Sequence, residues 1–218
     1  MAARIEEMIG ARVIVFDGAL GTELFKRGLP QGISPEEWNL INPAAVAAVH
    51  RDYLEAGAQA ITTNTFGGSV MKLAEFGLAD KVTEINRRGV ELAREAAGDR
   101  AWVAASMGPG GKLLAPLGET TFNAVYNSYV PQVRAFAAGG ADLVIIETMS
   151  DISELKAAAM AVRDHSDLPF IATMTFDAKG RTATGSNPAA MAAMLEPFTP
   201  LAIGANCGMG PITMAEII

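Results

Sequence analysis

The sequence is short of three things that carry chemistry in many proteins: cysteine, histidine and positive charge. One cysteine, Cys207, stands among 218 residues; this rules out an internal disulfide and suits a reducing cytoplasm. A lone thiolate cannot hold zinc either, because that metal takes about three or four protein ligands. The two histidines, His50 and His165, fall on a helix face and near a helix end, away from the strand ends where sites are built. Lys and Arg number 17 against 24 Asp and Glu, a net charge of −7, so the clustered basic footprint of a nucleic-acid binder is missing. No apolar run approaches the roughly 18 residues that would suggest a membrane span. Residues 1–7 carry acids where a secretory signal would be apolar.

What remains is an ordinary globular balance, 50% hydrophobic and 19% charged, enough for a sizeable core in one domain over residues 1–218. Short apolar runs at 12–17, 60–66, 102–107, 143–148, 170–176 and 201–206 read as strands. Each is nearly continuous in apolar or small residues, as parallel strands covered by helices are. Amphipathic stretches lie between them. Asn42-Pro43 and Asn187-Pro188 each offer an N-cap followed by a first-turn proline. Ser150 or Asp151 can cap the stretch carrying Ile152, Leu155, Ala159 and Val162. Pro131 should kink or break the helix at 122–138. Near the start, Ile5, Met8 and Ile9 share one helical face, suited to plugging the bottom of a barrel.

Strand–helix alternation repeated about six times indicates an α/β fold with a parallel sheet. An open doubly wound sheet and a (β/α)8 TIM barrel both satisfy that pattern. No Gly-x-Gly-x-x-Gly opens a helix after the first strand, and Gly108-Pro109-Gly110-Gly111 reads as a tight turn, not a phosphate cradle. Asp17, Asn64, Glu147 and Asn206 all sit at carboxyl ends of different strands. A barrel gathers such positions into one mouth, so the barrel is expected, with about six of its eight units in this sequence.

Glu147 interrupts Leu143-Val144-Ile145-Ile146 at a depth where an unpaired charge would cost several kcal/mol. With Asp17 it could bind a ligand ammonium, share a proton, or act as acid and base. The turn Asn64-Thr65-Phe66-Gly67-Gly68-Ser69 could present amides to an anion such as a carboxylate, or be a plain polar loop. Trp38 and Trp102 read as packing residues. Cys207, just after an apolar strand, is either a small buried hydrophobe or a functional thiol.

Four motifs in order resemble the homocysteine S-methyltransferase family: 16–24 (Phe16-Asp17-Gly18-Ala19-Leu20-Gly21-Thr22-Glu23-Leu24), Thr63-Asn64-Thr65-Phe66-Gly67, Glu147-Thr148-Met149 and Gly204-Ala205-Asn206-Cys207. The pattern is most similar to the homocysteine-binding domain of cobalamin-dependent methionine synthases. Trp38-Asn39-Leu40 and Ser106-Met107-Gly108-Pro109 are similar too.

That resemblance implies a (β/α)8 barrel that transfers a methyl group to the thiol of homocysteine, giving methionine. It implies zinc held by three cysteine thiolates, of which Cys207 matches one; the adjacent pair that should follow has no counterpart in this sequence. By position, Asp17 and Glu147 would hold the substrate ammonium, and the amides of Thr65, Phe66, Gly67 and Gly68, beside Asn64, its carboxylate. Methylcobalamin is the expected methyl carrier, with a corrinoid-binding domain or protein as partner. Two other readings stand beside this one: a barrel fragment without catalytic competence, and a corrinoid-linked methyltransferase with another donor or thiol acceptor.

Overall fold

The computed structural model describes residues 5–217. Its elements run α1 (Ile5–Met8), α2 (Leu20–Lys26), α3 (Trp38–Ile41), α4 (Pro43–Glu55), β1 (Ala60–Thr62), α5 (Val70–Ala74), α6 (Val82–Ala97) and β2 (Trp102–Met107). They continue with α7 (Phe122–Gly139), β3 (Leu143–Met149), α8 (Ile152–His165), β4 (Phe170–Met174), α9 (Pro188–Leu195), β5 (Ala202–Ala205) and α10 (Pro211–Ile217).

Helix starts follow the local chemistry. The side chains of Asn42, Asp151 and Asn187 each accept a backbone N–H of the first turn, as expected, and Ser69 and Thr121 do the same. Pro131 does not break its helix: α7 runs through it from Phe122 to Gly139. One missing N–H is tolerated because the fully buried Tyr129, Gln132, Val133 and Phe136 fix both turns around it.

The five strands are parallel and lie in the order β1-β2-β3-β4-β5. A doubly wound sheet reverses its order at a switch point; this one never does, so right-handed crossovers put the helices that connect strands on one face. On that face Val103, Val144, Ile146, Ala172 and Met174 pack against helix residues such as Val133, Phe136, Leu155 and Val162. The opposite face carries Ala60, Trp102, Ala104 and Leu143, capped by buried Ile5 with Met8 and Ile9 beside it. The first helix therefore plugs the inner face, as its pattern predicts. Trp38 and Trp102 are packing residues.

The segment 12–17 departs from expectation. Among the described residues it forms no strand, only a parallel bridge from Phe16 to Ala60, with Gln59 N–H donating to the Val15 carbonyl and Asp17 N–H to that of Ala60. Alternation is kept: Ile14 and Phe16 join the inner cluster, whereas Val13 and Val15 are 85% and 54% exposed. Strand ladders need partners along their length, and here pairing begins only at Val15. The expected strand at 60–66 likewise shortens to three residues, because the chain turns at Thr63 into the next loop.

With this segment, six parallel strand positions stand in sequence. Parallel strands are spaced about 4.8 Å apart, so the first and sixth would be some 24 Å apart in a flat sheet. Instead Asp17 and Cys207 line a single cavity. The sheet curves, as part of a (β/α)8-type barrel whose strands are not closed into a ring among the described residues.

Candidate active site

A cavity of about 530 Å³ opens at the carboxyl ends of the strands, where barrel enzymes build their sites. Asp17, Asn64, Glu147 and Cys207 all line it, joined by Glu36 and by the rings of Phe16 and Phe66. Thr65, Gly67 and Gly68 stand behind that wall.

Asp17 ends the first strand position. Thr62 donates to its carboxylate twice, from N–H to Oδ2 at 2.9 Å and from the hydroxyl to Oδ1 at 3.0 Å. Burial outweighs these bonds and, with the charge of Glu147 nearby, pushes its pKa up to about 7. Glu147 is also raised, by burial, against the hydrogen bond from the Ser106 hydroxyl at 2.6 Å. Among the described residues, no lysine or arginine lines the cavity. Two half-buried carboxylates without a cation beside them favour a cationic ligand.

Glu147 is aimed by an irregularity in β3. Ile146 pairs with Ala172 and Met149 with Met174, three residues against two, so one extra residue bulges. That residue is Thr148, with a left-handed φ of 62°. Ile145, Glu147 and Thr148 all face the cavity, and Met149 resumes the outer face. Asn206, at the end of β5, ties the bulge down. Its Oδ1 accepts the Thr148 N–H at 2.9 Å and the Thr173 hydroxyl at 2.8 Å; its Nδ2 donates to the Thr148 hydroxyl at 2.8 Å and to Glu147 Oε2 at 3.3 Å. Cys207 follows, exposed and with φ 59°. Its Sγ lies 3.6 Å from the Thr148 hydroxyl and 3.8 Å from Asn206 Nδ2. Strained residues over-determined by such bonds gather at functional sites.

The loop after β1 is held from several sides. Asn64 donates to the Pro35 carbonyl and to Asn39 Oδ1. The amides of Thr65 and Gly68 donate to the carbonyls of Thr63 and Thr65, and the amide of Gly67 to Glu36 Oε1 at 2.6 Å. Phe66 lies against Gly108, where a Cβ would come within 2.5 Å of its ring. The Gly108–Gly110 turn is in turn fixed from outside the barrel. Tyr129 donates to the Gly108 carbonyl, and buried Glu154 accepts from Tyr129 and from the Gly110 amide.

Sequence reasoning missed Glu36, Ser106, Thr62 and Thr148 as parts of the site, and gave Asn206 no role. Glu36 looks like any acid opening a helix, in Ser34-Pro35-Glu36-Glu37. The bulge at Thr148 has no signature in a chain that reads as an ordinary buried strand. Asn206 stood out only as a polar residue at a strand end.

For the zinc that the resemblance implies, Cys207 offers one sulfur donor. No group of three His, Cys, Asp or Glu side chains is placed to hold a metal among the described residues. Zinc takes three or four ligands, so these residues alone do not fit it.

Comparison with known proteins gives a consistent picture. Residues 14–218 match the family described as Homocysteine S-methyltransferase. Curated proteins called methionine synthase, from Mycobacterium leprae and Mycobacterium tuberculosis, are 35% and 34% identical over 96% of this chain, which spans only 19% of their length. Among solved structures, the homocysteine methyltransferase MmuM from Escherichia coli in its metallated form matches with a TM-score of 0.84 and 27% identity, over 97% of this chain and 80% of that one.

Proposed function

The chain belongs to the homocysteine S-methyltransferase family, and from that premise we propose that it binds homocysteine and presents the thiol for methylation, giving methionine. Residues 1–218 would act as one homocysteine-binding domain of the methionine-synthase kind. The observation that carries this reading is the pair of half-buried carboxylates, Asp17 and Glu147, in a cavity that also holds Cys207 and has no cationic side chain among the described residues. An amino-acid ammonium answers that pair, and the pair fixes which end of the ligand lies deep.

In this reading Asp17 and Glu147 grip the ammonium, Thr62 and Ser106 orient the two carboxylates, and Asn64 and Phe66 border the end taken by the rest of the amino acid. Holding the ligand at both ends places its thiol at the Cys207 rim, which lowers the entropic cost of methyl transfer. There a bond forms between the ligand sulfur and the methyl carbon while the donor's bond to that carbon breaks, and the thiol proton is lost. Zinc belongs to this proposal only in part. Cys207 would be one ligand, and the remaining donors are not among the described residues. Binding and orientation of the amino acid fall to the chain's own side chains.

The methyl carrier would be methylcobalamin, brought by a corrinoid-binding domain or protein, since the curated relatives at 35% identity are called methionine synthases and are far longer than this chain. A reducing cytoplasm would suit the exposed thiol, and no described helix is long and apolar enough to cross a membrane.

Calorimetric titration of L-homocysteine into the chain tests the reading. Binding should be lost in Asp17→Asn paired with Glu147→Gln, while methionine, sharing the ammonium, competes. Wild-type protein that binds neither amino acid overturns it.

A further inference from the structure

Glu36 sits on the short 3-10 turn Pro35–Glu37, 5% exposed, and its carboxylate reaches the cavity wall. One oxygen accepts the Gly67 amide at 2.6 Å and the other the Ser34 hydroxyl. No lysine or arginine forms a salt bridge with it among the described residues. Contact is close enough that a Cβ on Gly67 would lie 2.9 Å from the Glu36 oxygen. An amide in a loop at a strand end is the natural partner of a ligand carboxylate. Here the protein has put its own carboxylate there.

We propose that Glu36 is a specificity-determining residue: it fills the Gly67 amide from within and withholds that amide from ligand carboxylates. The charge also repels an anion approaching from the cavity, where Asp17 and Glu147 already make the interior acidic. Ligands then enter by their ammonium, and the Gly67 amide contributes nothing to affinity for the carboxylate end. This rests on the homocysteine reading for its choice of ligands, though not for its mechanism.

Two variants, compared with wild type, separate the effects. Glu36→Gln keeps an oxygen for Gly67 and removes the charge; Glu36→Ala frees the amide altogether; wild type does neither. The Gly67 amide resonance of each is followed while acetate is added. In wild type and Glu36→Gln it should stay still, and in Glu36→Ala it should move in a saturable way, with the dispersed spectrum showing that the fold is kept. A second measurement compares homocysteine with 3-aminopropane-1-thiol, which has the same thiol and ammonium but no carboxylate. Glu36→Ala should shift the preference towards homocysteine on the order of tenfold, the value of one new charge-assisted hydrogen bond. A Gly67 amide that ignores acetate in Glu36→Ala, or responds equally in wild type, overturns the proposal. Should neither thiol bind wild-type protein, the homocysteine reading falls, and the acetate titration alone still decides the role of Glu36.

Discussion

The Thr148 hydroxyl lies 3.6 Å from the Sγ of Cys207, across 59 residues of sequence, and both residues hold left-handed backbone, at φ 62° and 59°. Each strained residue ends or interrupts a different strand, and Asn206 binds both strand ends together. The Thr148 oxygen already accepts from Asn206 Nδ2, which leaves its own proton free to point at sulfur. The bulge, the amide and the thiol therefore form one unit, with Glu147 at its inner end.

Replacing Asn206 should accordingly cost more than one contact. Asn206→Leu leaves the partly buried Thr148 N–H without its acceptor, a loss of about 1 kcal/mol or somewhat more, and leaves Glu147 free to turn. Thermal unfolding should shift down by several degrees and homocysteine affinity should fall with it. Asn206→Asp keeps the two acceptor bonds but sets a negative charge beside Glu147 Oε2, now 3.3 Å from the amide nitrogen. Its stability deficit should grow as pH rises. An Asn206→Leu variant as stable and as tight-binding as wild type would show that the unit does not exist.

Asp17 gives a pH dependence with a definite sign. Its pKa rises from 3.8 to about 7 in the folded protein, by burial first and Glu147 last among the raising causes. The folded state thus holds a proton that the unfolded state releases, and stability is full below pH ~4 and declines as pH rises through 7. Asp17→Asn removes that decline. At pH 8 it should unfold at higher denaturant than wild type, by a few kcal/mol at most, and at pH 3.5 the two should coincide. Equal differences at both pH values would refute the assignment.

His50 acts in the opposite direction. Both ring nitrogens are buried without a hydrogen-bond partner among the described residues, and burial lowers its pKa from 6.5 to about 4. Below pH 6.5 the unfolded chain takes up a proton that the folded chain refuses, so stability falls between pH 6.5 and 4, by about 3 kcal/mol in all. His50→Leu, similar in size and apolar, should flatten this acid limb while leaving stability at pH 7.5 within about 1.5 kcal/mol. Urea unfolding at four pH values would reveal it; an unchanged acid limb would exclude His50 as the cause.

Gly68 should tolerate no side chain. A Cβ there would lie 2.1 Å from Asn86 Oδ1 and 2.8 Å from both Gln132 Nε2 and the Thr65 carbonyl, two buried amides and a backbone atom that cannot all retreat. Asn86 donates to the Gly68 carbonyl and Gln132 to that of Thr65, so the clash also breaks the bonds that hold the loop. Gly68→Ala should destabilise by more than the 1–3 kcal/mol usual for overpacking. At Gly21, where nothing lies within 4 Å, the same change should be mild. Similar melting temperatures for the two variants would contradict this.

The sequence alone determined the alternation of strands and helices, the caps at Asn42, at Asn187 and at Ser150 or Asp151, and the polar strand ends Asp17, Asn64, Glu147 and Asn206, because these depend on residues a few positions apart. Helix periodicity and capping are local, and a charge that interrupts an apolar run is visible wherever the run is. Tertiary structure decided the rest. That segment 12–17 pairs only from Val15 onward, that α7 continues through Pro131, and that β3 carries an extra residue at Thr148 all depend on which neighbours are present to hold them. Glu36 is the plainest case. Nothing in Pro35-Glu36-Glu37 separates one glutamate from the other, and only the loop folded from 64–68, some thirty residues on, supplies the amide that makes the first a buried part of the site.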